Sequence, residues 1–254
     1  MKSQIYKQAK YYEIAFSFIN AKKQVDLFGE FIEKYSKISV KNVLDVACGP
    51  ALQLRELAKR GYGSFGIDCN SGMISYLKRM ASEDGLEIEV IKADMNKFSL
   101  KKKIDFAYIM MGSIIYVRNN DLFLSHLNSV ANSLKFGGLY LIENFPINWA
   151  DPKFFKKQRW VMKRDGVKIK TAYQLTPKDA LKQIVTQVIE MEVIDKGKEF
   201  KYIDRDDLKI IFPEEFKLLV DKNGRFEFLG FYERKRAKPL KKISSDNIVL
   251  LRKK

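Results

Sequence analysis

The chain of 254 residues is long enough for one large domain, or for one domain carrying a sizeable insertion. Its apolar content of 46 % supports a packed core, no run approaches the ~20 apolar residues that cross a bilayer, and the opening MKSQIYKQAKYYE lacks the apolar segment of a secretory leader. Only two cysteines, Cys48 and Cys69, are present, which excludes a disulfide framework and leads us to expect a reducing, cytoplasmic setting. The net charge of +16 is unevenly spread: residues 1–150 carry 20 Lys/Arg against 15 Asp/Glu, and residues 151–254 carry 27 against 16. A basic last two-fifths fits a nucleic-acid surface, an attraction for an acidic small substrate, or a Lys-rich exterior.

Residues 5–36 have helical spacing, with Ile14, Phe18, Val25, Phe28, Phe31 and Ile32 recurring at three- and four-residue steps. An alternation follows. KNVLDVA is a strand and ALQLRELAKR a helix; GSFGIDC is a strand and SGMISYLKRMASED a helix. EIEVIKAD and KIDFAYIMM are strands, NDLFLSHLNSVANSLKF is a helix and GGLYLIEN a strand. Such alternation predicts a doubly wound α/β architecture with a mostly parallel sheet. After residue 150 the texture changes to two strand pairs, turning at Asp165-Gly166 and Lys196-Gly197. A helix with Pro213 in its first turn and two last strands, RFEFLGFYER and DNIVLLRKK, complete the chain. We expect one domain made of an N-terminal helical cap (1–38), a binding core (40–150), an antiparallel insert (151–212) and the closing helix and strands (213–254).

The loop Asp45-Val46-Ala47-Cys48-Gly49-Pro50-Ala51 joins the first strand to the first helix of the alternation. In a doubly wound sheet, ligands bind outside the carboxyl ends of strands near the switch in strand order. Gly49 allows a ligand close to the backbone, Pro50 suits the first helical position, and the helix start favours an anion. With one glycine the loop matches neither G-x-x-x-x-G-K-[ST] nor G-x-G-x-x-G. It suits an anion smaller than a pyrophosphate, such as an amino-acid carboxylate.

VLDVACGPA resembles motif I of the class I S-adenosylmethionine-dependent methyltransferases, written hydrophobic-L-D-x-G/A-C/x-G-x-G. In the same order, GIDCNSGMI is similar to the second motif, IKADMNKF to the third, and LKFGGLYLIEN to the LKPGGxLxhE strand. The resemblance spans about residues 40–145, with a looser match from FPEEFKLLV to IVLLRKK. It departs at Ala51, where the last glycine is usual, and at Pro50, where Thr or Ser is frequent. It implies a seven-stranded Rossmann-like sheet, with the antiparallel insert after the fifth strand, and S-adenosyl-L-methionine as cofactor. It also implies roles. Asp68 would accept the ribose hydroxyls, the other reading being a helix N-cap, a position Asn70 or Ser71 suits better. Met73 would pack on the adenine, helix core being a nearly equal explanation. Asp94 would accept the adenine amino group beside the Met95 N–H, or else be a turn aspartate. Asp45 would orient the loop or the ammonium end of the cofactor, Ala47, Gly49 and the carbonyl of Met110 or Met111 would surround the amino-acid end, and Cys48 and Cys69 lie in the same two loops. No metal is expected.

The acceptor is narrowed by exclusion. The segment after the fourth strand reads MMGSIIYV, without the Asp/Asn-Pro-Pro-Tyr/Phe of base-amine methyltransferases. Neither cysteine is near that strand, as a 5-methylcytosine enzyme requires, and NFPI at 144–147 lacks the paired prolines. No two-glutamate loop of an arginine methyltransferase is found. MGSIIYV looks instead like the GSLxYL segment of small-molecule N- or O-methyltransferases. In their glycine N-methyltransferase-like and amino-sugar N-methyltransferase groups an N-terminal YYD element closes over the cofactor; here it reads Tyr11-Tyr12-Glu13, and Tyr12 is the lid candidate. The only histidine, His126, lies mid-helix in FLSHLNSV and reads as packing or surface rather than catalyst. Trp149 and Trp160, flanking the start of the insert, read as core more than as ligand platforms. The expectation is methyl transfer to nitrogen or oxygen of a small molecule by a monomer or homodimer, without membrane attachment. The alternatives are an RNA methyltransferase using the basic C-terminal third and a non-catalytic cofactor-binding module.

Overall fold

The computed structural model describes residues 3–146, 149–242, 244 and 246–254. Its first strands, β1 (Asn42–Val46), β2 (Gly63–Asp68), β3 (Ile88–Lys92), β4 (Ile104–Ile109) and β5 (Leu134–Glu143), lie parallel. Strands β10 (Phe226–Glu233) and β11 (Asn247–Lys253) complete a seven-stranded sheet of order β10-β11-β5-β4-β1-β2-β3, with β11 antiparallel to both its neighbours. The strand order reverses between β1 and β4, which places the expected binding crevice at their carboxyl ends.

Both faces of the sheet are covered, which is why its central strands are almost continuously apolar. Val43, Phe106 and Leu141 face a core built with α2 (Ala21–Tyr35), α3 (Leu52–Lys59) and α4 (Ser71–Glu83). Leu44, Ala107 and Tyr140 face another, built with α5 (Asn120–Ser133) and α6 (Pro213–Asn223). Strands β6 (Gln158–Arg164), β7 (Val167–Asp179), β8 (Ile184–Asp195) and β9 (Lys198–Lys209) form a separate antiparallel meander, the expected insert. Two of its three turns fall at Asp165-Gly166 and Lys196-Gly197, where all four residues have positive φ, and the third, at 180–183, joins β7 to β8. One face of this sheet, through Val167, Ile169, Ile189, Met191 and Val193, packs against Ile5, Ile14 and Ala15.

Three expectations are corrected. The single helical stretch at 5–36 is two helices, α1 (Ala9–Ala15) and α2, because Asn20 starts a new helix by accepting the Lys23 N–H at 3.0 Å. Phe18 falls in the connection and is 57 % exposed, so it does not share the buried face of Phe28. Pro50 is not the first helical residue: Ala51, left-handed at φ 54°, caps α3, and its N–H donates to the Cys48 carbonyl at 2.8 Å to close the turn before the helix. The NFPI segment ends at Ile147, outside the described residues.

Candidate active site

One cavity of about 540 Å³ opens at the carboxyl ends of β1–β4. The residues proposed from the sequence meet around it: Asp45 in β1 with Ala47, Cys48 and Gly49 after it, Asp68 at the end of β2 with Cys69 and Met73 after it, Asp94 and Met95 after β3, Met110 and Met111 after β4, and Tyr12 from α1. Its charge is opposite to that of the chain. Four carboxylates line it, those of Glu13, Asp45, Asp68 and Asp94, against a single cationic side chain, Arg118, among the described residues.

The loop after β1 is shaped by three left-handed residues in five, Ala47 (φ 57°), Gly49 (φ 53°) and Ala51 (φ 54°). A Cβ at Gly49 would meet nothing within 4 Å, so the glycine leaves open space beside the backbone. The loop is tied to β2 by Asp68, whose Oδ2 accepts the Gly49 N–H at 2.8 Å and whose Oδ1 accepts the Asn70 N–H at 2.7 Å. Asn70, not Asp68, caps α4 by accepting from Gly72 and Met73. A carboxylate has about four acceptor directions, so Asp68 keeps room for a further donor beside its backbone partners. Burial raises its pKa, against the lowering effect of these backbone donors. Asp45 is 2 % exposed, and burial pushes its carboxyl well above the usual range although the Tyr108 hydroxyl partly offsets this. Burial, reinforced by the neighbouring aspartates, also raises the Cys48 and Cys69 thiols, so neither is a thiolate nucleophile.

The loop after β3 rests on His126. The Met95 carbonyl can only accept, so His126 Nδ1 donates to it at 2.8 Å, and Nε2 accepts from the Tyr140 hydroxyl at 2.7 Å. That pairing holds the ring neutral, and burial lowers its pKa to about 4. His126 is fully buried and does not reach the cavity. Asp94 is exposed, and its Oδ1 accepts from the Asn96 backbone and side chain, both at 2.8 Å.

The wall after β4 depends on Glu143, which the sequence reading left without a role although it ends the LKFGGLYLIEN strand. Its Oε2 accepts the N–H of Met111, a residue at φ 56°, at 2.8 Å, and its carbonyl takes the Gly112 N–H at 3.2 Å. Its Oε1 receives Gln24 Nε2 at 2.9 Å and Arg234 Nε at 2.7 Å, and Gln24 in turn accepts from Gln53, a cavity residue, at 2.6 Å.

The roof is the N-terminal segment. Tyr6, Tyr12 and Phe16 line the cavity, with Tyr12 packed edge-on to Tyr6 (5.4 Å between centroids) and tilted on Phe16 (4.6 Å). Glu13, 4 % exposed, bridges Arg55 of α3 at 2.8 Å and Arg164 of β6 at 2.9 Å. No residue of the antiparallel sheet lines the cavity; the sheet stands one layer behind and grips the roof. Trp160 Nε1 donates to the Ala15 carbonyl at 2.7 Å, Tyr11 donates to Asp195 at 2.9 Å, and Trp149 stacks on Phe212 away from the cavity. Tyr6, Ser113, Tyr116 and Arg118 join the lining without having been singled out; Ser113 and Tyr116 belong to MGSIIYV, whereas Tyr6 and Arg118 carry no motif.

Residues 43–138 match the family model described as a methyltransferase domain. Over those residues the chain carries a methyltransferase domain, on the fold of S-adenosylmethionine-dependent methyltransferases. It is 24 % identical over 196 residues to the dTDP-3-amino-3,4,6-trideoxy-alpha-D-glucopyranose N,N-dimethyltransferase of Streptomyces venezuelae, covering 74 % of this chain and 77 % of that protein. Its fold is similar to that of an S-adenosylmethionine-dependent methyltransferase from Clostridium acetobutylicum (TM-score 0.80, 17 % identity, 95 % of each chain). It is also similar to a sugar N-methyltransferase from Streptoalloteichus (TM-score 0.75, 17 % identity, 100 % of this chain and 94 % of the other). S-adenosyl-L-methionine is the expected cofactor, and the site fits it: the open face at Gly49 leaves space against the backbone, and the acidic lining suits a ligand carrying a sulfonium and an ammonium. No helix among the described residues is long and apolar enough to cross a membrane.

Proposed function

We propose that this methyltransferase acts on the nitrogen of a small amine, with an amino sugar as the acceptor class that the relatives support. The observation that carries this reading is the likeness to an amino-sugar N,N-dimethyltransferase over 74 % of this chain and 77 % of that protein. The neutral form of an amine carries its own lone pair, whereas an aliphatic hydroxyl needs a base to become a good nucleophile. No histidine lines the cavity among the described residues, and Glu13, the carboxylate contributed by the roof, is held between two arginines.

When bound, S-adenosylmethionine supplies an electrophilic sulfonium methyl, so the protein has to align the acceptor and exclude water. We assign Asp68 to the ribose hydroxyls, Asp94 and the Met95 N–H to the adenine edge, and Met73 to its face. Asp45, Ala47, Gly49 and the Met110 carbonyl are assigned to the amino-acid end, with Cys48 and Cys69 packing the same loops. The roof, with Tyr12, keeps water out. Transfer of a methyl label from S-adenosylmethionine is to be compared among pooled amino sugars with their nucleotide-linked forms, the matching hydroxyl sugars, and total RNA. Label on an amine nitrogen is expected. Label on hydroxyls or on one RNA position, with amines untouched, would overturn the reading.

A further inference from the structure

Between the roof and the antiparallel sheet runs a chain of hydroxyls whose direction can be worked out. Tyr6 Oη lies 2.7 Å from Tyr116 Oη, Tyr116 Oη lies 2.5 Å from Gln187 Oε1, and Gln187 Nε2 lies 3.3 Å from Tyr173 Oη. Gln187 presents its amide oxygen to the Tyr116 hydroxyl and its amide nitrogen to Tyr173. A phenol has one hydrogen. Tyr116 therefore donates to Gln187 and can only accept from Tyr6, and Tyr6 donates to Tyr116. Burial raises the pKa of both phenols, Tyr6 well above its ordinary value, so neither releases that hydrogen near neutral pH. The Tyr6 oxygen is left with lone pairs alone, on a ring that lines the cavity.

Its position is set from the same sheet. The Asp204 carboxylate on β9 accepts the Gln4 N–H at 2.7 Å, the Ile5 N–H at 3.2 Å and the Ser3 hydroxyl, and Ser3 Oγ accepts the Tyr6 N–H at 2.8 Å. Tyr116 belongs to the segment after β4, across the strand-order reversal from the loops after β1, β2 and β3 that carry the cofactor motifs. Past Met110 and Met111, which are assigned to the amino-acid end of the cofactor, this segment brings the tyrosine pair to the cavity on the side of the strand order away from the ribose and adenine loops.

We propose that the Tyr6 oxygen is the acceptor subsite, receiving an N–H of the substrate amine, with Gln187 as a positioning residue that sets its polarity from outside the cavity. This rests on the amine reading above. A site with lone pairs only binds groups that still carry hydrogen and gives nothing to an acceptor-only group such as an ether oxygen. It favours primary and secondary amines over a neutral tertiary amine.

The test is steady-state kinetics with a dTDP-linked 3-amino sugar on wild type, Tyr6→Phe, Gln187→Met and Gln187→Glu, with S-adenosylhomocysteine affinity measured on each. Tyr6→Phe is expected to raise KM for the amine about tenfold, the effect of one lost hydrogen bond, with kcat changed far less. Gln187→Met frees the Tyr116 hydrogen to turn toward Tyr6 and should raise KM likewise, although Gln187 does not line the cavity. Gln187→Glu keeps an oxygen toward Tyr116 and should restore the wild-type KM. S-adenosylhomocysteine affinity should be the same in all four. An unchanged KM in Tyr6→Phe, or a loss confined to S-adenosylhomocysteine binding, would overturn the subsite while leaving amine methylation standing. Absence of amine turnover in the wild type, with hydroxyls or RNA labelled instead, would overturn amine methylation and the subsite with it.

Discussion

The floor and the roof of the cavity are built by different means. The floor consists of loops at strand ends, and its short hydrogen bonds are mostly local or between adjacent strands: Asp68 to Gly49, Asn70 to the start of α4, Glu143 to Met111. The roof is a segment with little structure of its own, one helix of seven residues, held by side chains far away in sequence: Asp204, Asp195 and Arg164. A floor of this kind keeps its shape through the sheet beneath it. A roof of this kind keeps its shape only while the antiparallel sheet holds it, so damage to the two should separate in experiment.

The largest effect is expected where the roof meets both bodies. Glu13→Ala leaves Arg55, which has 10 % side-chain exposure, without a partner, and breaking a buried pair costs about 3–5 kcal/mol. Denaturant unfolding should register that loss, and a change below about 1 kcal/mol would mean that the roof is not anchored there. The floor has its own signature in pH. The folded-state pKa of His126, about 4, lies below its ordinary value, so between pH 6.5 and 4 the unfolded chain binds a proton that the folded chain refuses. Its contribution is complete above pH 6.5 and falls by roughly 3 kcal/mol as the pH drops to 4. The difference in stability between wild type and His126→Gln, followed over that range, isolates it; parallel curves would contradict the buried neutral ring. Smallest is Trp160→Phe, which removes the indole bond to Ala15 and should cost about 1 kcal/mol. Hydrogen exchange should quicken over 9–15 and stay unchanged over 45–51; equal quickening in both would erase the distinction between the halves.

The same division decides what could be read from the sequence. The floor was legible because strand-end loops are short and their chemistry is local: Asp45, Gly49, Asp68 and Asp94 each follow an apolar strand run by a fixed few residues. The order of elements and the two Gly turns of the insert were legible for the same reason. The break between α1 and α2 was not, because apolar spacing continues across it and only the Asn20 cap marks a new start. In the sequence Glu143 is one letter at the end of a strand motif, and its work follows only from the left-handed turn that Met111 takes beside it. Tyr6 left no trace at all. Its partners lie 110 residues away at Tyr116 and, through Tyr116, on β8 at Gln187, and no periodicity in MKSQIYKQ anticipates them.

That the floor holds the cofactor and the roof the acceptor is tested most directly by calorimetric titration with S-adenosylhomocysteine of wild type, Asp68→Ala and Tyr6→Phe. Wild type should bind one equivalent per chain, and Tyr6→Phe should match it. Asp68→Ala should lose about 1.5–3 kcal/mol, roughly ten- to a hundredfold in affinity. Unchanged binding in Asp68→Ala, or a loss of that size in Tyr6→Phe, would contradict the division.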